Sequence, residues 1–137
     1  AGMNLYGFEM DDSISPFECN MKWTVDFSDE ERNFYGKEAL RKMQKEKKQH
    51  ELVGLMLEER AILRQGQKIY LDAERTIEGI VTSGTYSPTL KKPIALARVP
   101  KIDAKSCHAE MRGKEVFAKI GTPRLIKEGK EVFKERI

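Results

Sequence analysis

Leu52-Val53-Gly54-Leu55-Met56-Leu57 is the stretch on which the fold turns. It carries no charge and is too short for a core helix. It directly follows a charged, helix-patterned segment, so the period of the chain changes at about Gln49. It reads as a mostly buried strand. Further short strands follow it: Lys68-Ile69-Tyr70-Leu71, which runs into an Asp72-Ala73-Glu74 turn, then Thr76–Thr82, then Ile94–Val99, closed by Pro100. Cys107–Met111 and Glu115–Lys119 flank Arg112-Gly113-Lys114, a hairpin link. A last extended piece is expected around Leu125-Ile126. Short strands at roughly 10–20-residue spacing, with turn chemistry between them, predict a small antiparallel barrel or sandwich. Closure into a barrel also removes exposed strand edges.

Upstream, Gly36 precedes a segment in which Ala39, Leu40 and Met43 fall on one stripe among Lys, Arg and Glu. This predicts a helix ending near Lys48. Ser28-Asp29-Glu30-Glu31 has capping-box spacing and is expected to start a helical turn before Phe34. Met21–Val25 reads as a short strand, and the acidic Glu9, Asp11, Asp12 and Glu18 read as a surface loop. The fold class is therefore mainly β with one or two helices: a small antiparallel barrel, Greek-key-like, or a sandwich over 49–137, preceded by a lead-in and helix over 1–48.

The chain has 137 residues, 39% apolar and 34% charged. By size scaling it would expose about 23,000 Å² unfolded and about 7,300 Å² as a compact monomer, enough burial for a core without disulfides or metal. No apolar run approaches the roughly 20 residues of a spanning helix, and no signal peptide is visible. Cys19 and Cys107 lack CxxC spacing and only His50 and His108 accompany them, which argues against a structural metal site. A disulfide is possible, and a reducing compartment is the default. The 25 basic and 22 acidic residues make a mixed surface, not that of a nucleic-acid binder. Arg41–Lys48 is locally basic, either a solvated helix face or a landing patch for an acidic partner, with Lys45, Lys47 and Lys48 as docking candidates. Ala1 is not Met, which suggests a piece of a longer protein, with a processed terminus as the other explanation.

Gly79-Ile80-Val81-Thr82-Ser83-Gly84-Thr85-Tyr86-Ser87-Pro88-Thr89-Leu90 is the most distinctive run. Ile80-Val81 reads as a strand end, Ser83-Gly84 as a tight turn with left-handed backbone, and Ser87-Pro88 as an extended exit. It is neither a phosphate-binding loop nor a nucleophile elbow.

AGMNLYGFEMDDSISPFE from Ala1, NFYGKEAL from Asn33, and GIVTSGTYSPTLKKPIALARV from Gly79 together resemble, in order and spacing, the C-terminal part of the glycine cleavage T-protein (aminomethyltransferase) family. The resemblance runs along nearly the whole chain. It implies a small C-terminal β-barrel and an enzyme that takes the aminomethyl group from the lipoyl arm of H-protein. Ammonia is released and methylene-tetrahydrofolate forms, in the cytoplasm or, in a eukaryote, the mitochondrial matrix. The partners so implied are H-protein and folate, with no nucleic acid and no membrane.

The family's catalytic aspartate and most of its pterin-binding groups lie upstream, so no catalytic residue is assigned in this chain. The folate-cleft candidates are Met3 and Tyr6 in AGMNLYG, and Arg64 in the loop after the first barrel strand. Met and Tyr can wall a flat ring, and the arginine fork suits a carboxylate such as the folate glutamate tail. Packing against a neighbouring domain and an inter-domain salt bridge are the competing roles. Arg124 and the Lys127–Lys130 tail form a further basic stretch near where the family's C-terminus approaches that tail. Folate-dependent demethylases share the architecture and are the alternative, as is a docking module without folate contact. The cysteine-bearing motif of an iron–sulfur-associated relative is missing.

Overall fold

The computed structural model describes residues 1–46 and 49–136. One helix, α1 (Lys37–Lys45), precedes β1 (His50–Leu57), β2 (Lys68–Tyr70), β3 (Glu78–Ser87), β4 (Lys92–Pro100), β5 (Ser106–Met111) and β6 (Lys114–Gly121). These six strands close a barrel in the order β1-β4-β3-β2-β5-β6, every pairing antiparallel, with β6 returning to β1. The jumps from β1 to β4 and from β2 to β5 give the Greek-key-like connectivity expected.

Side-chain alternation separates the two barrel faces. Val53, Leu55, Leu57, Ile69, Val81, Ala97, Val99, Ala118 and Ile120 fill the interior. Leu52, Met56 and Leu96 point outward, yet are buried beneath Leu125, Ile126 and Phe133 of the C-terminal tail. Burial on both faces explains why β1 is a continuous apolar run instead of an alternating one. The tail ends in a small hairpin, β7 (Ile126–Lys127) with β8 (Lys130–Glu131), turned by Glu128 and Gly129 at positive φ. Arg112 and Gly113 do the same between β5 and β6, the two-residue turn whose twist matches the strands it joins. Cys19 and Cys107 are free and buried, and burial pushes the Cys107 thiol up to about 12.

Several expectations need correction. β3 does not stop at Val81: it continues to Ser87, and Ser83-Gly84 is strand, not turn. A bulge between Val81 and Ser83 absorbs the irregularity, and the chain reverses only after Pro88, with Lys91 at positive φ. Gly84 is required by a close approach instead. A Cβ there would lie 2.2 Å from the Leu63 carbonyl oxygen.

Met21–Val25 pairs with no strand among the described residues. It forms a 3-10 turn over Lys22–Thr24. Ser28–Glu31 starts no helix, because the Asp29 carboxylate accepts from the Glu31 and Arg32 amides in a local turn. That loop closes around the buried Lys37 ammonium, which donates to the carbonyls of Asp29, Glu30 and Arg32. Helix α1 ends at Lys45, with Glu46 extended. Its apolar stripe is shallow: Leu40 is half-buried, while Ala39 and Met43 are exposed.

Candidate functional site

The lead-in lies against the outer barrel face, and one buried carboxylate joins the two. Leu5–Met10 folds into a compact turn in which the Gly7 amide donates to Met10 O at 2.8 Å. Glu9 points inward from that turn and is 2% exposed. Its Oε2 accepts from the Leu5 amide at 3.0 Å, and its Oε1 lies 3.0 Å from Thr82 Oγ1. Thr82 is the bulge residue of β3, and its hydroxyl also faces Leu96 O at 3.2 Å. The expectation that Glu9 belongs to a surface loop is therefore wrong. A buried carboxylate is tolerated because both oxygens are hydrogen-bonded. Asp11 and Asp12 are exposed, as a surface loop implies.

Tyr6 sits on the outside of the same turn, 67% exposed. The loop from Glu58 to Gln67 reaches it from the barrel. Leu63 is anchored in the core, Gly66 N donates to Val81 O, and Val81 N donates to Gln67 O, each at 2.9 Å. Gln65 Nε2 then donates to Gly7 O at 3.1 Å. The fold thus brings Tyr6 and Arg64, far apart in sequence, into adjoining loops. Arg64 is exposed and enters no ion pair among the described residues. Its backbone is held by Gln67, which accepts from Arg64 N and donates back to Arg64 O. A fixed backbone beneath a free guanidinium suits carboxylate capture.

Met3, 78% exposed, lies elsewhere on the lead-in. It shares a cavity of about 560 Å³ with Met10, Met21, Trp23 and Arg124. It also borders a smaller one of about 270 Å³ over Ser83, Thr85, Ile94 and Leu125. Arg124 Nε donates to Ala1 O at 3.4 Å, closing the rim, while Lys127 and Lys130 are exposed on the tail hairpin. Sequence reasoning missed Trp23, which is 83% exposed. Reading Met21–Val25 as a strand hid it, and only the spare exposed aromatic could have signalled it. Thioether and indole walls with an arginine at the rim suit a flat ring bearing an anionic end.

Lys45 is exposed in the last turn of α1, beside Lys42. Lys47 and Lys48 lie outside the described residues. Among the described residues no helix is long and apolar enough to cross a membrane.

The family model of the glycine cleavage T-protein C-terminal barrel domain matches residues 50–127. The aminomethyltransferases of Legionella pneumophila strains Paris and Corby are each 45% identical to the chain over 132 residues, 96% of it and 36% of their own length. The crystal structure of glycine cleavage system aminomethyltransferase T from Bartonella henselae superposes with a TM-score of 0.75 at 31% identity, over 88% of this chain and 34% of that one. The chain spans about a third of the length of the relatives it matches.

Proposed function

The chain belongs to the glycine cleavage T-protein family, and from that premise we propose that it is the C-terminal part of a tetrahydrofolate-dependent aminomethyltransferase acting on lipoyl-bearing H-protein. Residues 49–137 are its barrel domain, and residues 1–48 join that barrel to upstream folate-binding domains. The observation that carries the reading is the co-linear match to aminomethyltransferases along 96% of the chain, lead-in included.

The accessible surface supports it. It is 9380 Å², against about 7,300 Å² for a compact monomer of this mass. Much of what is bare is apolar and belongs to the lead-in: Met3, Leu5, Tyr6, Trp23 and Tyr35. Patches of that kind mark a face that something covers.

Tetrahydrofolate supplies the amine that receives the one-carbon unit. Residues of this chain bind and orient it. Met3 and Trp23 offer thioether and indole walls in one cavity, Tyr6 offers aromatic surface beside the Arg64 loop, and Arg64 pairs with the folate glutamate or an active-site carboxylate. Glu9 fixes the Tyr6 turn on the barrel, and Gln65 fixes the Arg64 loop on that turn. Positioning of this kind is a large part of what a transfer enzyme contributes. The proton-handling carboxylate belongs to the upstream part of the protein.

The test supplies the intact protein with aminomethyl-loaded H-protein and tetrahydrofolate. Ammonia and methylene-tetrahydrofolate are expected, whereas methyl transfer from a sulfonium substrate alone would reassign the protein to the demethylases. The 137-residue piece by itself is expected to unfold cooperatively and to give no transfer. Turnover by that piece would place the catalytic group inside it and sink the assignment. A folate titration of the piece against the intact protein separates a cleft-forming barrel from a mere docking module.

The basic run Arg41–Lys48 is proposed to meet H-protein. Neutralising Lys45, Lys47 and Lys48 together is expected to raise KM for H-protein several-fold at low salt. The effect should fade as salt rises, because exposed charges are screened within about 8–10 Å at physiological ionic strength. An unchanged KM at low salt removes these lysines from the docking surface.

A further inference from the structure

We propose that the cleft between the lead-in and the outer face of β1–β4 is a binding site for a single carboxylate with a short apolar body, headed by Arg98. Arg98 projects outward from β4, registered between Leu52 of β1 and Ile80 of β3. The cleft beside it has a volume of about 360 Å³ and is lined also by Ile14, Glu18, His50, Lys68 and Glu78. Arg98 Nη1 is buried and has no hydrogen-bond partner among the described residues. A buried guanidinium N–H without an acceptor is costly and uncommon, so an acceptor belongs there.

The surrounding carboxylates are already engaged. Glu78 pairs with Lys68 at 2.8 Å. Glu18 accepts from Ser15 N and Oγ, and its other oxygen lies 3.5 Å from His50 Nδ1. Asp11 accepts from Ser13 N and Oγ at 2.8 and 2.6 Å. Among the described residues Arg98 forms no ion pair. The formal charges of the lining, Lys68 and Arg98 against Glu18 and Glu78, cancel, but Arg98 is the one of the four with no partner in contact among the described residues, and the acceptor that best complements a guanidinium N–H is a carboxylate. Glu18 and Glu78 on the walls repel a phosphate dianion about twice as strongly as a monoanion, which favours the monocarboxylate. Ile14 and the partly exposed Ile80 offer apolar contact to the body behind the carboxylate. A small free monocarboxylate and a Glu side chain from elsewhere in the longer protein share this chemistry.

The experiment uses the intact protein, with butyrate as probe and inorganic phosphate at equal ionic strength as comparison. For a free ligand, butyrate binds one to one and more tightly than phosphate. Arg98→Met then lowers its affinity about 10- to 150-fold, as expected for a lost charge-assisted hydrogen bond, with Arg98→Lys between the two. For a carboxylate supplied by the longer protein, butyrate does not bind and Arg98→Met melts below the wild type, because it strips a buried anion of its partner. Methionine keeps the apolar stem, so lost packing alone would not give that sign. Arg98→Met melting at or above the wild type, with no butyrate binding, overturns the proposal. So does butyrate binding that survives Arg98→Met, or phosphate binding tighter than butyrate.

Discussion

Arg64→Ala in the intact protein is expected to lower folate affinity or kcat/KM about 10- to 150-fold while leaving the melting temperature nearly unchanged. The size follows from one charge-assisted hydrogen bond, roughly 1.5–3 kcal/mol. The separation of kinetics from stability follows from the structure. The side chain is exposed and its loop is held by other groups: Leu63 in the core, Gly66 and Gln67 on β3, and Gln65 on Gly7. Removing the guanidinium takes nothing from those anchors. Arg64→Lys should recover only part of the loss, because a point charge cannot reproduce the two-donor fork. Folate affinity, turnover and melting are measured on the same preparations. A lower melting temperature with intact kinetics would make Arg64 a tie between domains. No change in any of the three would remove it from the site.

Gly84→Ala is expected to destabilise the protein by about 3 kcal/mol or more, and to impair folate-dependent turnover with it. The added Cβ would lie 2.2 Å from the Leu63 carbonyl oxygen and 3.0 Å from its carbon. Both are backbone atoms, so no rotamer change relieves the clash: the strand or the loop must move. Leu63 is the core anchor of the loop that carries Arg64, so the displacement reaches the proposed cleft. Gly66→Ala in the same loop is the control. Gly66 has φ +79 and open space where the new methyl would sit, so its cost is only the left-handed backbone, about 1–2 kcal/mol. Denaturant unfolding of the two variants measures the contrast. A larger loss at Gly66 than at Gly84 would refute the close-approach argument.

Much of the barrel was legible because its signals are local. The switch of period at Gln49 marks β1, and Arg112-Gly113 marks the β5–β6 hairpin, since a two-residue turn depends on the residues that form it. The Gly79–Leu90 run shows where local reading fails. Ser83-Gly84 has the composition of a turn, but Gly84 is there to admit the Leu63 carbonyl, a neighbour about twenty residues earlier in the chain.

The candidate site divides in the same way. Three co-linear blocks of sequence were sufficient to identify the family, and the first of them offered Met3 and Tyr6 as candidates, while Arg64 was offered by the loop after the first barrel strand. Only the tertiary structure decided that Tyr6 and Arg64 occupy adjoining loops, through a Gln65–Gly7 hydrogen bond spanning 58 residues. It also decided that Glu9 is a buried clamp on Thr82, 73 residues away, and not a surface charge. It alone left Trp23 bare and Arg98 Nη1 without an acceptor among the described residues. The physical reason is that periodicity and turn chemistry report how a residue meets its immediate neighbours and water. Burial of a charge, or a close approach of two backbones, depends on which distant segment folds over it.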